Sequence, residues 1–202
     1  MQPFHTKSGN LTRKAILDGA YYLFKDQGYH GTSMRQIAEA AEIALGGIYN
    51  HFESKEQIFS TVLVEYHPAH EVIPAVLEGA NKSIEDFVRH AARTIMTTLT
   101  DRPDFLNLMF IELVEFRSQH IPIIYDEIFP KGLEMVRSFA ANHKGIRTIP
   151  IDVMLRAFLG LMFSLIISQA FLGQRVRDVG SDKEIEHYVE IFLYGILMET
   201  QP

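Results

Sequence analysis

The sequence predicts an all-α protein, and two observations carry that prediction. Apolar residues recur at helical period along the 202 positions, and no alternating strand pattern interrupts them. Serine followed three residues later by glutamine or glutamate, the spacing of a capping box, occurs at Ser33–Gln36, Ser54–Gln57 and Ser181–Glu184, each time just before an apolar run. The length allows one large domain or two small ones with a sizeable core. A content of 47% hydrophobic and 22% charged residues is ordinary for a soluble globular chain.

Residues 1–9 are polar and read as an arm, without the apolar stretch of a secretory signal. A first helix is predicted over 11–27, with Ile16, Leu17, Ala20, Leu23 and Phe24 on its inner stripe and Gly28 as a left-handed stop. A second opens at Ser33 and buries Met34, Ile37, Ala38 and Ala41. A third, over 44–52, is too short to stand alone. Ile43, Ile48 and Phe52 pin it, which leaves Leu45, Gly46, Tyr49, Asn50 and His51 facing outward. Ser54 opens a fourth helix carrying Ile58, Phe59, Val62, Leu63 and Tyr66. Pro68 and Pro74 then break the pattern, so a kink or joint between two halves is expected near His67. Further helices are predicted from Ser83 to about 101, over 104–118, 122–142 and 150–172, and from Ser181 to Glu199.

From Ala157 to Gln174 there are 18 residues without a charge, the lower length for a membrane span. Ser164, Ser168, Gln169 and Gln174 dilute the run and no polybasic flank orients it, so it reads as the buried helix of a soluble bundle, with no membrane partner. Gly160, Ser164 and Ser168 fall four apart and line a face that another helix can approach closely. The final helix is apolar at Ile185, Tyr188, Val189, Phe192, Leu193, Ile196 and Leu197. Two such helices carry more apolar surface than one small domain covers, which points to a four-helix interface between two copies.

The stretch from Thr32 to Phe52, two short helices and a tight turn, has the geometry of a helix-turn-helix. Four segments in order, FKDQGY, GTSMRQIAEAA, GGIYNHF and SKEQIF, spread over residues 11–62, resemble the amino-terminal domain of the tetracycline-repressor (TetR) family. The resemblance implies a three-helix helix-turn-helix DNA-binding domain over 1–53 and a helical effector-binding and dimerisation domain over 54–202. It implies a cytoplasmic homodimeric transcriptional regulator, joined through its last two helices and more a repressor than an activator. Such a regulator grips near-palindromic double-stranded DNA and releases it on binding a small apolar or amphipathic effector.

For the DNA-reading surface, Ser33 and the amide groups beside it are expected to hold a phosphate, with Thr32 sharing that role. The resemblance places Tyr49 against the DNA backbone and Lys55 on a phosphate. Asn50 and His51 are the polar candidates for base edges, and Arg35 for a base or a phosphate. The plainer alternative is solvated surface for these polar residues and a buried aromatic for Tyr49. The chain departs from the family pattern at Glu42, where the turn usually has glycine, and at Ala44, where a capping serine or threonine is common. Leu45 replaces a frequent lysine, and Gly47 a frequent threonine or alanine. Base readout is therefore expected to lean on Leu45 against thymine methyls and on close backbone approach at Gly46 and Gly47. Residues 1–60 hold six Lys or Arg and six Asp or Glu, so the net charge of −6 lies in the remainder and few phosphate contacts are expected.

Effector-pocket candidates are Arg93, Met109, Glu112, Phe116, Tyr125, Ser164 and Gln169, polar or wall-forming residues within apolar helical runs. Ordinary packing or an internal ion pair is the plainer reading of each. The absence of cysteine removes disulfides and thiol chemistry and suits a reducing cytoplasm. The nine histidines lack helical metal-site spacing, and Pro68 spoils the one near-match, His67 and His70 beside Glu71, so neither metal nor cofactor is expected. No Gly-rich phosphate loop, Gly-x-Ser-x-Gly elbow or supported acid pair is present, which argues against an enzyme with a catalytic site. The competing reading is a ligand-binding helical dimer that has lost DNA binding.

Overall fold

The computed structural model describes residues 7–172, 175 and 180–196. Its helices are α1 (Lys7–Gly31), α2 (Met34–Ala40), α3 (Leu45–Ile48), α4 (Lys55–Glu65) and α5 (Ala69–Leu77), then α6 (Ile84–Thr100), α7 (Pro103–Val114), α8 (Ile121–Ala141), α9 (Ile151–Leu172) and α10 (Asp182–Ile196). No β-strand occurs among the described residues. Residues 1–6 of the expected arm, and Leu197 to Glu199 of the expected last helix, lie outside them.

Packing divides the chain into two compact units, residues 1–67 with 103–126 and residues 68–102 with 127–202. The division at His67 and Pro68 coincides with the break expected there. The first unit extends beyond the 53/54 boundary, because α4 and α7 pack on the helix-turn-helix and share its core. Ile16, Leu17, Phe24, Ile37, Ile48, Ile58, Phe59, Leu63 and Leu108 are all buried. Gly28 bends α1 at φ 75°, a conformation glycine adopts without Cβ strain, and so turns the chain toward α2. A Cβ on Gly19 would stand 3.0 Å from the Ala40 Cβ, so a glycine there lets α1 and α2 approach closely.

On the first unit's flank Tyr21 stacks on Tyr66 at 4.7 Å between ring centroids. Tyr66 donates its hydroxyl to Asp18, and Tyr21 donates to Asp104. Burial opposes the Asp18 charge, but hydrogen bonds from Lys14 and Tyr66 outweigh it and hold the carboxyl below its usual range. Burial, with the bond to Asp18, pushes the Tyr66 hydroxyl well above the usual phenol.

The second unit is built on α6, α9 and α10. Phe87 stacks on Phe139 at 3.8 Å, and Phe158 meets Phe192 at 5.0 Å. Arg147 closes the end of α10, its backbone N–H donating to the Ile196 carbonyl (2.8 Å) and its Nη1 to that of Gly195 (2.9 Å). Two element readings need correction. The segment after Pro68 forms a helix, α5, that runs through Pro74, because its apolar side packs on α6 with Val76 buried and His90 bonds the Ala75 carbonyl at 2.8 Å. The helix expected over 104–118 stops at Val114, because Arg117 and Ser118 turn at φ 52° and 65°. The α9 helix is buried on one face only. Met154, Phe158, Met162 and Leu165 are covered, whereas Leu159, Phe163 and Phe171 are open, as are Ile191 and Tyr194 on α10.

The depressed Asp18 carboxyl makes a stability prediction with a definite sign. Its contribution is present above the ordinary carboxylate pKa, where both states are ionised, and is lost as pH falls through the lower folded value. Acid titration of unfolding should show that loss in the parent chain and a shallower one in Asp18→Asn.

Candidate nucleic-acid interface

The helix-turn-helix is set by three local devices. At the start of α2, Gln36 donates its N–H to the Ser33 hydroxyl (3.2 Å), and Ser33 donates its N–H to the Gln36 side-chain oxygen (2.8 Å), a complete capping box. At its end, Ile43 N–H reaches back to the Ala38 carbonyl (2.9 Å) and Glu42 N–H to that of Glu39 (3.1 Å). That pair of bonds is a Schellman turn, and it puts Glu42 at the left-handed position with φ 56°. A non-glycine there costs about 1 kcal/mol. At the start of α4, Gln57 donates its N–H to the Ser54 hydroxyl (3.1 Å), and its side chain accepts from Glu53 N–H at 2.7 Å.

Between these devices lies α3, shorter than the predicted 44–52. Helical bonding covers Leu45–Ile48 and relaxes into a turn through His51, whose N–H, like that of Phe52, ends on the Ile48 carbonyl at 3.0 Å. The shortness follows from Ala44, which offers no side-chain cap, and from the glycine pair, which favours the unfolded chain. Ile48 and Phe52 are buried, with the Arg13 guanidinium 5.3 Å from the Phe52 ring centroid. The opposite edge is open: Leu45 is 43% exposed, Tyr49 52%, and Asn50 is exposed beside them. A Cβ on Gly46 would meet nothing within 4 Å, so the backbone there is accessible. His51 and Gly47 are half-buried, and a Cβ on Gly47 would stand 3.9 Å from the Ile43 side chain.

Arg35 is exposed, with its Nε 3.1 Å from Glu39. A surface pair of this kind is worth at most about 1 kcal/mol, so Arg35 can leave it at little cost. Two expected phosphate contacts are placed otherwise. Thr32 is 2% exposed and donates its hydroxyl to the Gly28 carbonyl at 2.8 Å, so it offers no surface hydroxyl. The Lys55 ammonium donates to the carbonyls of Tyr29 (2.7 Å) and Thr32 (2.6 Å) and lies 4.1 Å from the Tyr29 ring centroid. Burial lowers its pKa, against the opposing charge of Glu115. Each charge-assisted bond is worth about 1.5–3 kcal/mol, so Lys55 is committed where Arg35 is not.

The effector candidates divide between the units. In the first, Glu112 is fully buried, accepting the His120 N–H at 2.7 Å and pairing with its Nδ1 at 2.8 Å. Phe116 stacks on Phe59 (4.9 Å) and meets Tyr29 edge-on (4.6 Å), Met109 is half-buried, and Tyr125 is exposed. Glu112, through its bonds to His120, and Phe116, through its ring contacts, thus hold the turn after α7 onto the first unit. In the second unit Arg93 is exposed and 3.9 Å from Glu186, and Ser164 lies on the open face of α9. Gln169 is half-buried and packs against Gly180. The Lys55 and Glu112 partnerships escaped sequence reading because their partners are remote or irregularly spaced; a helix-ending Gly-Tyr is the available hint for Lys55.

Residues 16–62 match the family described as bacterial regulatory proteins, tetR family. Along nearly its whole length the chain is similar to YvkB, an uncharacterized HTH-type transcriptional regulator of Bacillus subtilis (strain 168), with 24% identity over 190 residues, 92% of this chain and 97% of that one. The HTH-type transcriptional repressor KstR2 of Rhodococcus jostii (strain RHA1) is 44% identical over 57 residues, 28% of this chain and 27% of that one. A solved structure from Mesorhizobium loti MAFF303099, assigned to the TetR family, shares the fold with a TM-score of 0.75 at 24% identity, covering 96% of this chain and 100% of that one.

The missing cap and the strained turn are each correctable. Ala44→Ser should stabilise the chain by about 1 kcal/mol through a cap on α3, and Glu42→Gly by a similar amount, about 1 kcal/mol, through relief at positive φ. Chemical denaturation of the single variants checks both.

Proposed function

We propose that the chain, which matches the bacterial regulatory proteins of the tetR family over residues 16–62, is a DNA-binding transcriptional regulator and not an enzyme, and that it represses transcription as a cytoplasmic homodimer. In this reading it sits on a near-palindromic operator and leaves when a small apolar or amphipathic effector binds. The observation that carries the reading is the open edge of α3, with Leu45, Tyr49 and Asn50 outward while Ile48 and Phe52 are buried. A helix anchored on one side and bare on the other is what major-groove docking requires.

Leu45 offers a methyl-rich surface to thymine, Asn50 a bidentate pair for adenine, and Gly46 an unobstructed backbone. Tyr49 packs on the sugar-phosphate backbone, and Ser33 with the first amides of α2 holds a phosphate. The open faces of α9 and α10 support dimerisation, since joining two copies there would cover Phe163, Ile191 and Tyr194. Two heads would then meet DNA about one turn, roughly 34–36 Å, apart or a multiple of it, which calls for inverted half-sites. Effector and DNA need only favour different conformations for each to weaken the other.

Selection of bound sequences from random duplex DNA tests the proposal. Enrichment of inverted repeats is expected, and a pool that never enriches would leave the ligand-binding dimer without DNA binding as the better account. On a selected duplex, Tyr49→Ala should weaken binding about tenfold, the loss of about 1.4 kcal/mol, with the dimer mass unchanged; full affinity removes Tyr49 from the interface. Phe163→Glu combined with Tyr194→Glu should sediment as a monomer, and a persistent dimer would place the subunit interface elsewhere.

A further inference from the structure

We infer that Lys55 is a positioning residue of the reading head and delivers no charge to DNA phosphate. The inference rests on the regulator reading only for its DNA arm. An ammonium has three donors, and two of the Lys55 donors end on the carbonyls of Tyr29 and Thr32 at 2.7 and 2.6 Å. Those carbonyls are available because α1 ends at Gly31: Tyr29 lies in its last turn, where carbonyls lack a regular helical donor, and Thr32 lies beyond it. The Tyr29 ring lies 4.1 Å from the ammonium and is packed in turn by Phe59 (5.2 Å) and Phe116 (4.6 Å), so one side of the half-buried cation is covered by a fixed ring.

Position gives this bond its leverage. Thr32 immediately precedes the Ser33 cap, and its hydroxyl is tied to the Gly28 carbonyl. Lys55 is the first residue of α4, whose start is fixed by the Ser54–Gln57 cap. The strut therefore joins the entry of α2 to the entry of α4, and α3 hangs between the exit of α2 and the entry of α4. Holding those two entries together sets the attitude of the short helix that faces outward. Leaving for a phosphate would break both carbonyl bonds and undo that attitude. Lys14 and Arg35, by contrast, sit on exposed carboxylates, Asp18 at 2.8 Å and Glu39 at 3.1 Å, and surface pairs of this kind exchange readily.

The test uses the full-length chain, with Lys55→Met and Arg35→Met as variants. On a selected duplex, Lys55→Met should weaken binding at least tenfold at one salt concentration and leave the slope of log affinity against log salt unchanged. Arg35→Met should reduce that slope by about one. A slope reduced by about one in Lys55→Met, or an undiminished affinity, overturns the inference. A second arm needs no DNA: hydrogen exchange of residues 32–37 should quicken about tenfold in Lys55→Met while α6 and α9 keep their protection. Unaltered exchange at 32–37, or a uniform loss across the chain, overturns it as well. If the parent chain selects no duplex, the regulator reading fails and the exchange arm alone decides the strut.

Discussion

Burial of Ile48 and Phe52 is the constraint on which the proposed reading surface depends. Helical bonding in α3 spans only Leu45–Ile48, far below the dozen or so residues at which an isolated helix becomes even marginal in water. Each of those two side chains gains about 1.5–3 kcal/mol on burial, more than the few backbone bonds of a single turn can supply. The core built by α1, α2 and α4 thus decides where α3 sits, and α3 is left to decide only what it shows. Because both anchors lie on one side, the other side can be assembled from Leu45, glycine, Tyr49 and Asn50 without loss to the fold.

Charge plays a smaller part than the role of the head would suggest. Among the described cations of the head, Arg13 faces Glu65 at 2.6 Å, Lys14 faces Asp18 and Arg35 faces Glu39. Exposed pairs like these hold loosely and leave the cations available to a stronger anion. Lys55 is held differently, by carbonyl oxygens inside the molecule, and belongs with the scaffold. Specificity on such a surface would come from shape and methyl contact more than from a field.

The sequence was most informative where structure is local. Each serine cap reads directly from three-residue spacing, and each formed: Gln36, Gln57 and Glu184 all donate their N–H to the serine three positions earlier. The strained turn leaves only a trace in the sequence, a departure at Glu42 from the glycine usual in the resembling family, and its positive φ emerges in the fold. Elements fixed by contact were not legible. Proline at 74 reads as a breaker, yet packing against α6 carries α5 through it. Glu112 reads from the sequence as either a pocket residue or one half of an internal ion pair; the fold pairs it with His120, a partner the sequence does not name because the left-handed turn at Arg117 and Ser118 brings it there. Lys55 resembled a phosphate ligand by position, and only the fold reveals the carbonyls beneath it.

Hydrogen exchange of the chain with and without a duplex bearing an enriched inverted repeat addresses the central claim most directly. Protection gathered on residues 44–51 and on the first turn of α2, with the buried side of the head unaltered, is the predicted footprint. Protection confined to other helices, with 44–51 exchanging as before, would contradict the assignment of α3 as the element that meets DNA.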